Sequence, residues 1–217
     1  CRSLAGAGYN VAAIARSLVF WSELAGQLPS EGIEAQMFQC DVTNALAVRD
    51  TFRSIRERMG IPEVLVYNAG AFHGEDVART SNEVFERLWT VNCLGAFLCA
   101  KEVIPSMVQQ GRGAIVFTGA TASVKPAAGF AAFGSSKSAL RGLAQGMARE
   151  LGPQGIHVAH VVIDGMIWTP RTRQMQGVTQ DKTLQPDAIA STYLHIIRQP
   201  RSAWSFELDL RPDVEPF

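Results

Sequence analysis

The chain has 217 residues, with 20 basic and 20 acidic side chains and a formal net charge of zero. One domain of that length buries most of its unfolded apolar surface without staples, and a neutral balance argues against nucleic acid as the main partner, since phosphate binding depends on clustered cations. No signal peptide is evident and no apolar run approaches the roughly 20 residues that cross a bilayer, so the expectation is a cytoplasmic protein without membrane contact. The cysteines, Cys1, Cys40, Cys93 and Cys99, form no CxxC pair and no metal-like cluster with histidine, and read as reduced core residues.

The opening stretch, CRSLAGAGYNVAAIARS, begins as though inside a helix and lacks an initiator methionine, which suggests further sequence upstream. YNVAAIA is expected as a strand, followed by a helix to about Ser30, and EAQMFQC as a second strand ending at Asp41. ALAVRDTFRSIRERMG is an amphipathic helix, with Phe52, Ile55 and Met59 on one face and Gly60, Ile61 and Pro62 as its stop. EVLVY is a third strand, and a long helix runs from about Asn82 to Gln110. GAIVFTG is a short buried strand, and ATASVKPAAG a loop of small residues. The helix that opens at AAFGSSK ends at LGPQG, a glycine-then-proline stop. HVAHVVI is a strand whose His157 and His160 point to opposite faces and read as satisfied core histidines. Residues 164 to 185 show weak periodicity and several apolar side chains, as a mobile substrate loop would. A helix from Pro186 and the strand SFELDL complete one domain, residues 1 to 217.

Apolar strands alternating with amphipathic helices predict an α/β fold with a doubly wound, Rossmann-like parallel sheet. Such sheets bind ligands at the carboxyl ends of their strands. Asp41, Asn68, Gly119 and Asp164 each follow an expected strand, so the crevice is marked by polar residues and glycine.

These segments together resemble the short-chain dehydrogenase/reductase family nearly end to end. DVT from Asp41, with Val42, resembles the segment around the adenine ring. NAG (Asn68, Ala69, Gly70) resembles the turn after the family's fourth strand. Asn92 matches the asparagine of the catalytic tetrad, Lys137 its lysine, and DGMIWT, with Gly165, Ile167 and Thr169, the P-G-x-I-x-T beside the nicotinamide. The resemblance implies hydride transfer between a nicotinamide and a carbonyl carbon. A tyrosine moves the proton, the lysine lowers the tyrosine pKa, and a serine hydroxyl stabilises the developing oxyanion.

The sequence departs from that pattern in three ways. Phe133 stands at the tyrosine position, one helical turn before Lys137. Ala120, thirteen residues earlier, stands at the serine position. The first strand and its glycine-rich phosphate turn are apparently missing, and GAG at Gly6 to Gly8 reads as a helix terminator instead. Thr121, Thr118 and Ser123 flank the empty serine position, and Thr121 is the candidate substitute hydroxyl. Ser135 and Ser136 read as packing residues, and Tyr67 is expected near the adenosine half of a cofactor rather than at the chemistry. Lys137 either binds the nicotinamide ribose or rests against the Phe133 ring. Asn92 either holds a relay water or ties a helix kink. Arg16, following Ala15 at the end of the second family strand, suits a 2′-phosphate and so NADP rather than NAD.

Two functions are therefore expected. One is an NADP(H)-linked oxidoreductase acting on a small, apolar carbonyl or alcohol substrate with an atypical active site. The other is a catalytically silent protein of the same fold that binds a nucleotide or a protein partner. The long helices around 83 to 110 and 133 to 151 commonly pack between subunits in the family, which implies a homodimer or homotetramer.

Overall fold

In the computed structural model of the chain, residues 1–19, 26, 28 and 32–215 are described. The helix expected to run to about Ser30 falls largely outside them. Helix α1 (Arg2–Gly6) ends where Gly8 takes φ 93° and its N–H reaches the Ala5 carbonyl, so Gly6 to Gly8 terminate a helix and do not form a phosphate loop. Strand β1 (Val11–Ala15) pairs in parallel with β2 (Ala35–Gln39), and Val11 lies opposite Ala35. Helix α2 (Ala45–Met59) is capped by Asn44, whose side chain accepts from the N–H groups of Leu46 and Ala47, and it stops at Gly60, φ 89°.

Strands β3 (Val64–Tyr67), β4 (Gly113–Thr118), β5 (Ile156–Ile163) and β6 (Glu207–Leu210) form a second parallel sheet in that order. Among the described residues the two sheets share no hydrogen-bonded strand pair. They share a core all the same: Phe38 of β2, Leu65 and Tyr67 of β3 and Phe117 of β4 pack with residues of α2 and two later helices.

The strand period of two explains the covering on both faces. Ile115 and Phe117 of β4 face the large core under α2, α4 (Gly95–Gln110) and α5 (Ala131–Leu151). Val116, with Ala159, Val161 and Ile163 of β5, faces α6 (Pro186–Ile197) through Tyr193 and Ile196. On α5, Lys137, Leu140, Ala144, Met147 and Leu151 recur at three-to-four spacing and are all buried. The architecture is the expected helix-covered, Rossmann-like parallel sheet.

Three expectations need correcting. The long helix is interrupted: α3 (Asn82–Trp89) passes through a π turn at Thr90–Leu94 before α4 begins. The whole run Asn82–Gln110 is long and apolar enough, by length and composition, to cross a bilayer, contrary to the reading that no segment approaches that length. Its Leu88, Ala96, Val103 and Met107 are fully enclosed, so here it is a core helix. Cys40, Cys93 and Cys99 are buried, but Cys1 is exposed.

Candidate functional site

Because the strands within each sheet are parallel, Arg16 and Asp41 leave one end of the first sheet, and Asn68, Gly119 and Asp164 leave one end of the second. Arg16 is exposed and its backbone carbonyl accepts from the Gln39 side chain. Asp41 accepts from the Thr43 N–H (3.0 Å) and hydroxyl (2.8 Å). These hydrogen bonds, with a smaller contribution from the Arg16 charge, hold its pKa below the usual carboxylate range. Val42 packs against α4 beside Gly95. Asn68, Ala69 and Gly70 are exposed after β3.

Asn92 and Lys137 converge on this turn. A methyl group built at Gly70 would lie 3.5 Å from Asn92 Oδ1 and 3.8 Å from Lys137 Nζ, so the glycine leaves space over both. Asn92 sits inside the π turn and is fully buried. Its Oδ1 accepts from the Ala71 N–H (2.8 Å), and its Nδ2 donates to the Ala71 carbonyl (2.9 Å) and to Ser136 Oγ (2.8 Å). The amide thus ties the π turn to the loop after β3 and to the helix α5. Lys137 Nζ donates to the Thr118 carbonyl (2.9 Å), and burial pulls its pKa down to about 8.

The surroundings of residues 120 and 133 are apolar. Phe133 is 9% exposed and shares a cluster with Leu88, Ala122 and Ala132, against which Ala120 packs. Phe72 meets the Phe133 ring edge-on at 5.0 Å and the Phe130 ring at 5.6 Å. The flanking hydroxyls are engaged elsewhere. Thr121 donates to Asp164 Oδ1 (2.6 Å), Ser123 Oγ accepts from the Ala120 N–H (3.0 Å), and Thr118 donates to Asn68 Oδ1 (2.9 Å) while also contacting the Tyr193 hydroxyl (2.8 Å). The single proton of Thr121 is thus directed at a carboxylate.

Sequence reasoning missed several partners. Asp164 is buried among Thr121, Lys125 (3.3 Å) and Arg211 (2.8 Å). Burial alone would raise its pKa, but the Thr121 hydrogen bond and the two cations bring it below the usual range. Ser136 is more than a packing residue: it accepts from Asn92 and donates to the Phe133 carbonyl (2.7 Å). Ser135 only bonds back to the Ala132 carbonyl. Tyr67 is in the core, where its hydroxyl donates to the Val91 carbonyl of the π turn and burial raises its pKa.

The two histidines are only half satisfied. His157 contacts the Ser205 carbonyl (2.8 Å) and stacks on Trp204, and His160 Nδ1 contacts Glu207 (3.0 Å), itself held by Arg141. His157 Nδ1 and His160 Nε2 find no partner among the described residues. In the loop from 164 to 185, Ile167 bridges to Leu184, Gly165 takes φ 135°, and the Thr169 N–H donates to Thr172 Oγ (2.8 Å).

Parallel strands with polar ends and a buried lysine beneath them define a Rossmann-like α/β protein. The chain belongs to the short chain dehydrogenase family, whose model matches residues 1–178. It is 30% identical over 203 residues to carbonyl reductase family member 4 of Xenopus tropicalis, covering 91% of this chain and 84% of that protein. A short-chain dehydrogenase from Rhodopseudomonas palustris superposes with a TM-score of 0.82 at 33% identity, over 97% of this chain and 90% of that one. An alcohol dehydrogenase from the archaeon Thermococcus sibiricus, complexed with 5-hydroxy-NADP, gives 0.89 at 27% identity, over 99% and 91%. The chain is therefore similar to oxidoreductases along almost its whole length.

The residues present fit a nicotinamide dinucleotide. Gly70 leaves room over a buried ammonium, and Arg16, Asp41 and Asn68 are exposed along the strand ends.

Proposed function

We propose that the protein is an NADP(H)-linked oxidoreductase whose acceptor is small and apolar, and whose reacting group receives no proton from a tyrosine or serine hydroxyl of the site. The observation that carries this reading is the placement of Lys137, buried with Nζ beside Gly70 and the Thr118 carbonyl, one turn after the apolar Phe133. Lys137 would hold the nicotinamide ribose, Asp41 and Val42 would border the adenine, and Asn68, Ala69 and Gly70 would line the floor. Gly165, Ile167 and Thr169 would flank the nicotinamide. Arg16, exposed at the end of β1, would take the 2′-phosphate, which favours NADP over NAD. A bound nicotinamide would supply a hydride. Exposed Phe72, Val124, Met166 and Met175, all on loops after strands, support an apolar ligand.

A second reading is a silent nucleotide- or partner-binding protein, favoured by the engagement of Thr118, Thr121 and Ser123 in internal hydrogen bonds. NADPH titration and cofactor absorbance with a panel of carbonyl and iminium acceptors separate the two, run on native protein and on Phe133→Tyr. A restored phenol supplies acid–base catalysis of roughly 10²–10⁴-fold, so a rise of at least about 100-fold is expected in carbonyl reduction by the variant. Turnover of some acceptor by the native protein supports the oxidoreductase; binding without turnover of any acceptor supports the silent reading. No NADPH binding at all sinks both cofactor assignments.

We also propose a homodimer or homotetramer formed through α4 and α5. Phe97, Lys101, Ile104 and Pro105 of α4 and Met147, Glu150 and Leu151 of α5 line a shallow groove of about 220 Å³. Light scattering showing a monomer at micromolar concentration would exclude this assembly.

A further inference from the structure

Ala120 and Phe133 bring a methyl and a phenyl to the place where a reacting group is expected. Phe72, 57% exposed, lies edge-on to Phe133 and tilted against Phe130. A Cβ at Gly74 would fall 2.5 Å from Cε1 of the Phe130 ring, so that glycine admits the ring to the group. The result is a wall of three aromatic rings whose neighbouring hydroxyls are turned to internal partners.

Such a wall discriminates between hydride acceptors by charge. Hydride addition to a neutral carbonyl creates an alkoxide opposite a cationic nicotinamide, and that separation of charge needs donors on the oxygen and is costlier at low dielectric. An iminium ion brings its positive charge with it. The hydride forms the new C–H bond at the iminium carbon, and the C=N π pair becomes the amine lone pair. NADPH is oxidised to NADP⁺, and no proton is consumed. Charge moves from one partner to the other without being created, so the missing hydroxyls cost nothing. Aromatic faces also compensate part of the hydration a cation loses on entry.

We propose that Phe72, Phe130 and Phe133 recognise a flat, apolar iminium substrate. Its redox half rests on the NADP(H) reading above; its recognition half does not. The neighbouring carboxylates offset the positive charges other than that of Lys137. Glu75, in the loop that carries Phe72, ties its N–H to the Gly129 carbonyl (2.7 Å) and places a carboxylate beside His73. Lys125 and Arg211 are paired with Asp164, and Lys137 is held by the Thr118 carbonyl.

The test titrates an N-methyl dihydroisoquinolinium salt and the neutral ketone tetralone into the full chain by calorimetry, with and without NADP⁺. In the cofactor-free chain the cation is expected to bind at least about tenfold more tightly, with a smaller margin when the cationic ring of NADP⁺ is bound. Phe72→Leu should weaken the cation by more than it weakens the ketone, so that the preference collapses, and Phe72→Tyr should retain it. With NADPH, one cofactor should be consumed per iminium reduced, and none with the ketone. Equal affinities, or ketone reduction as fast as iminium reduction, would overturn the proposal. A cation preference in protein that binds no NADPH would keep the recognition site and remove the cofactor reading instead.

Discussion

Where β1, β2 and β3 end, the crevice carries Arg16, Asp41 and Asn68, exposed and polar. Where β4 ends and α5 begins, it carries Ala120, Phe72 and Phe133, a methyl and two rings. One helix serves both sides, since Lys137 follows Phe133 by a single turn of α5. Its ammonium is fixed by the Thr118 backbone and needs no phenol to hold it. The polar side can therefore keep its geometry with no hydroxyl at 120 or 133, so the proposed nucleotide binding does not depend on a proton-transferring side chain at either position. Cofactor affinity says little about which acceptor is reduced.

Removing the lysine breaks the polar side most severely. Burial lowers the Lys137 pKa from 10.5 to about 8, so between those values the unfolded chain binds the proton that the folded chain has released. Stability contributed at this position therefore rises with pH through that window, and the full burial penalty is felt below about pH 8. Lys137→Met should stabilise the fold by up to about 3 kcal/mol at neutral pH, less the lost Thr118 contact, and by much less near the upper end of the window. It should also abolish most NADPH binding. Urea unfolding at the two pH values measures the first effect; an identical gain at both would show that the ammonium is not buried at a cost.

Crowding the apolar side comes next. A methyl at Gly119 would run into Nε2 and Cε1 of His160 and press on the Val161 carbonyl. Gly119→Ala should cost about 1–3 kcal/mol by overpacking, read as a lower urea midpoint. In a His160→Ala background the same change should cost less than in the native chain, because the obstructing ring is gone. An equal cost in both would place the strain at the Val161 backbone.

How much of this was legible depends on whether the signal is local. β5, a run of apolar residues closed by Asp164, and α5, with its three-to-four stripe, are set by side-chain period and were readable along the chain. The π turn was not, because one extra residue in a helix leaves no mark on composition; only the question of whether Asn92 ties a kink pointed to it. Phe133 and Ala120 were readable as departures through the family spacing, but their meeting with Phe72 depends on how the β3 loop folds back onto α5. The fate of Thr121 was out of reach for the same reason. Its partner Asp164 ends a different strand, and Arg211, which helps hold that carboxylate, follows β6. Long-range polar pairs of this kind carry no period.

The smallest expected effect tests the tie between the two sides. Ser136 Oγ accepts from Asn92 Nδ2 and donates to the Phe133 carbonyl, joining the π turn to the turn of α5 that bears the aromatic ring. Ser136→Ala leaves Asn92 Nδ2 with the Ala71 carbonyl alone, a loss of about 1 kcal/mol for one buried hydrogen bond. The Ala71 N–H, which donates to Asn92 Oδ1, should then exchange with solvent deuterium faster. NADPH affinity should fall far less than in Lys137→Met, since Lys137 keeps its own anchor at Thr118. Unchanged exchange at Ala71 would mean that the π turn holds Asn92 by backbone geometry alone. The polar and apolar sides would then be joined only through the body of α5.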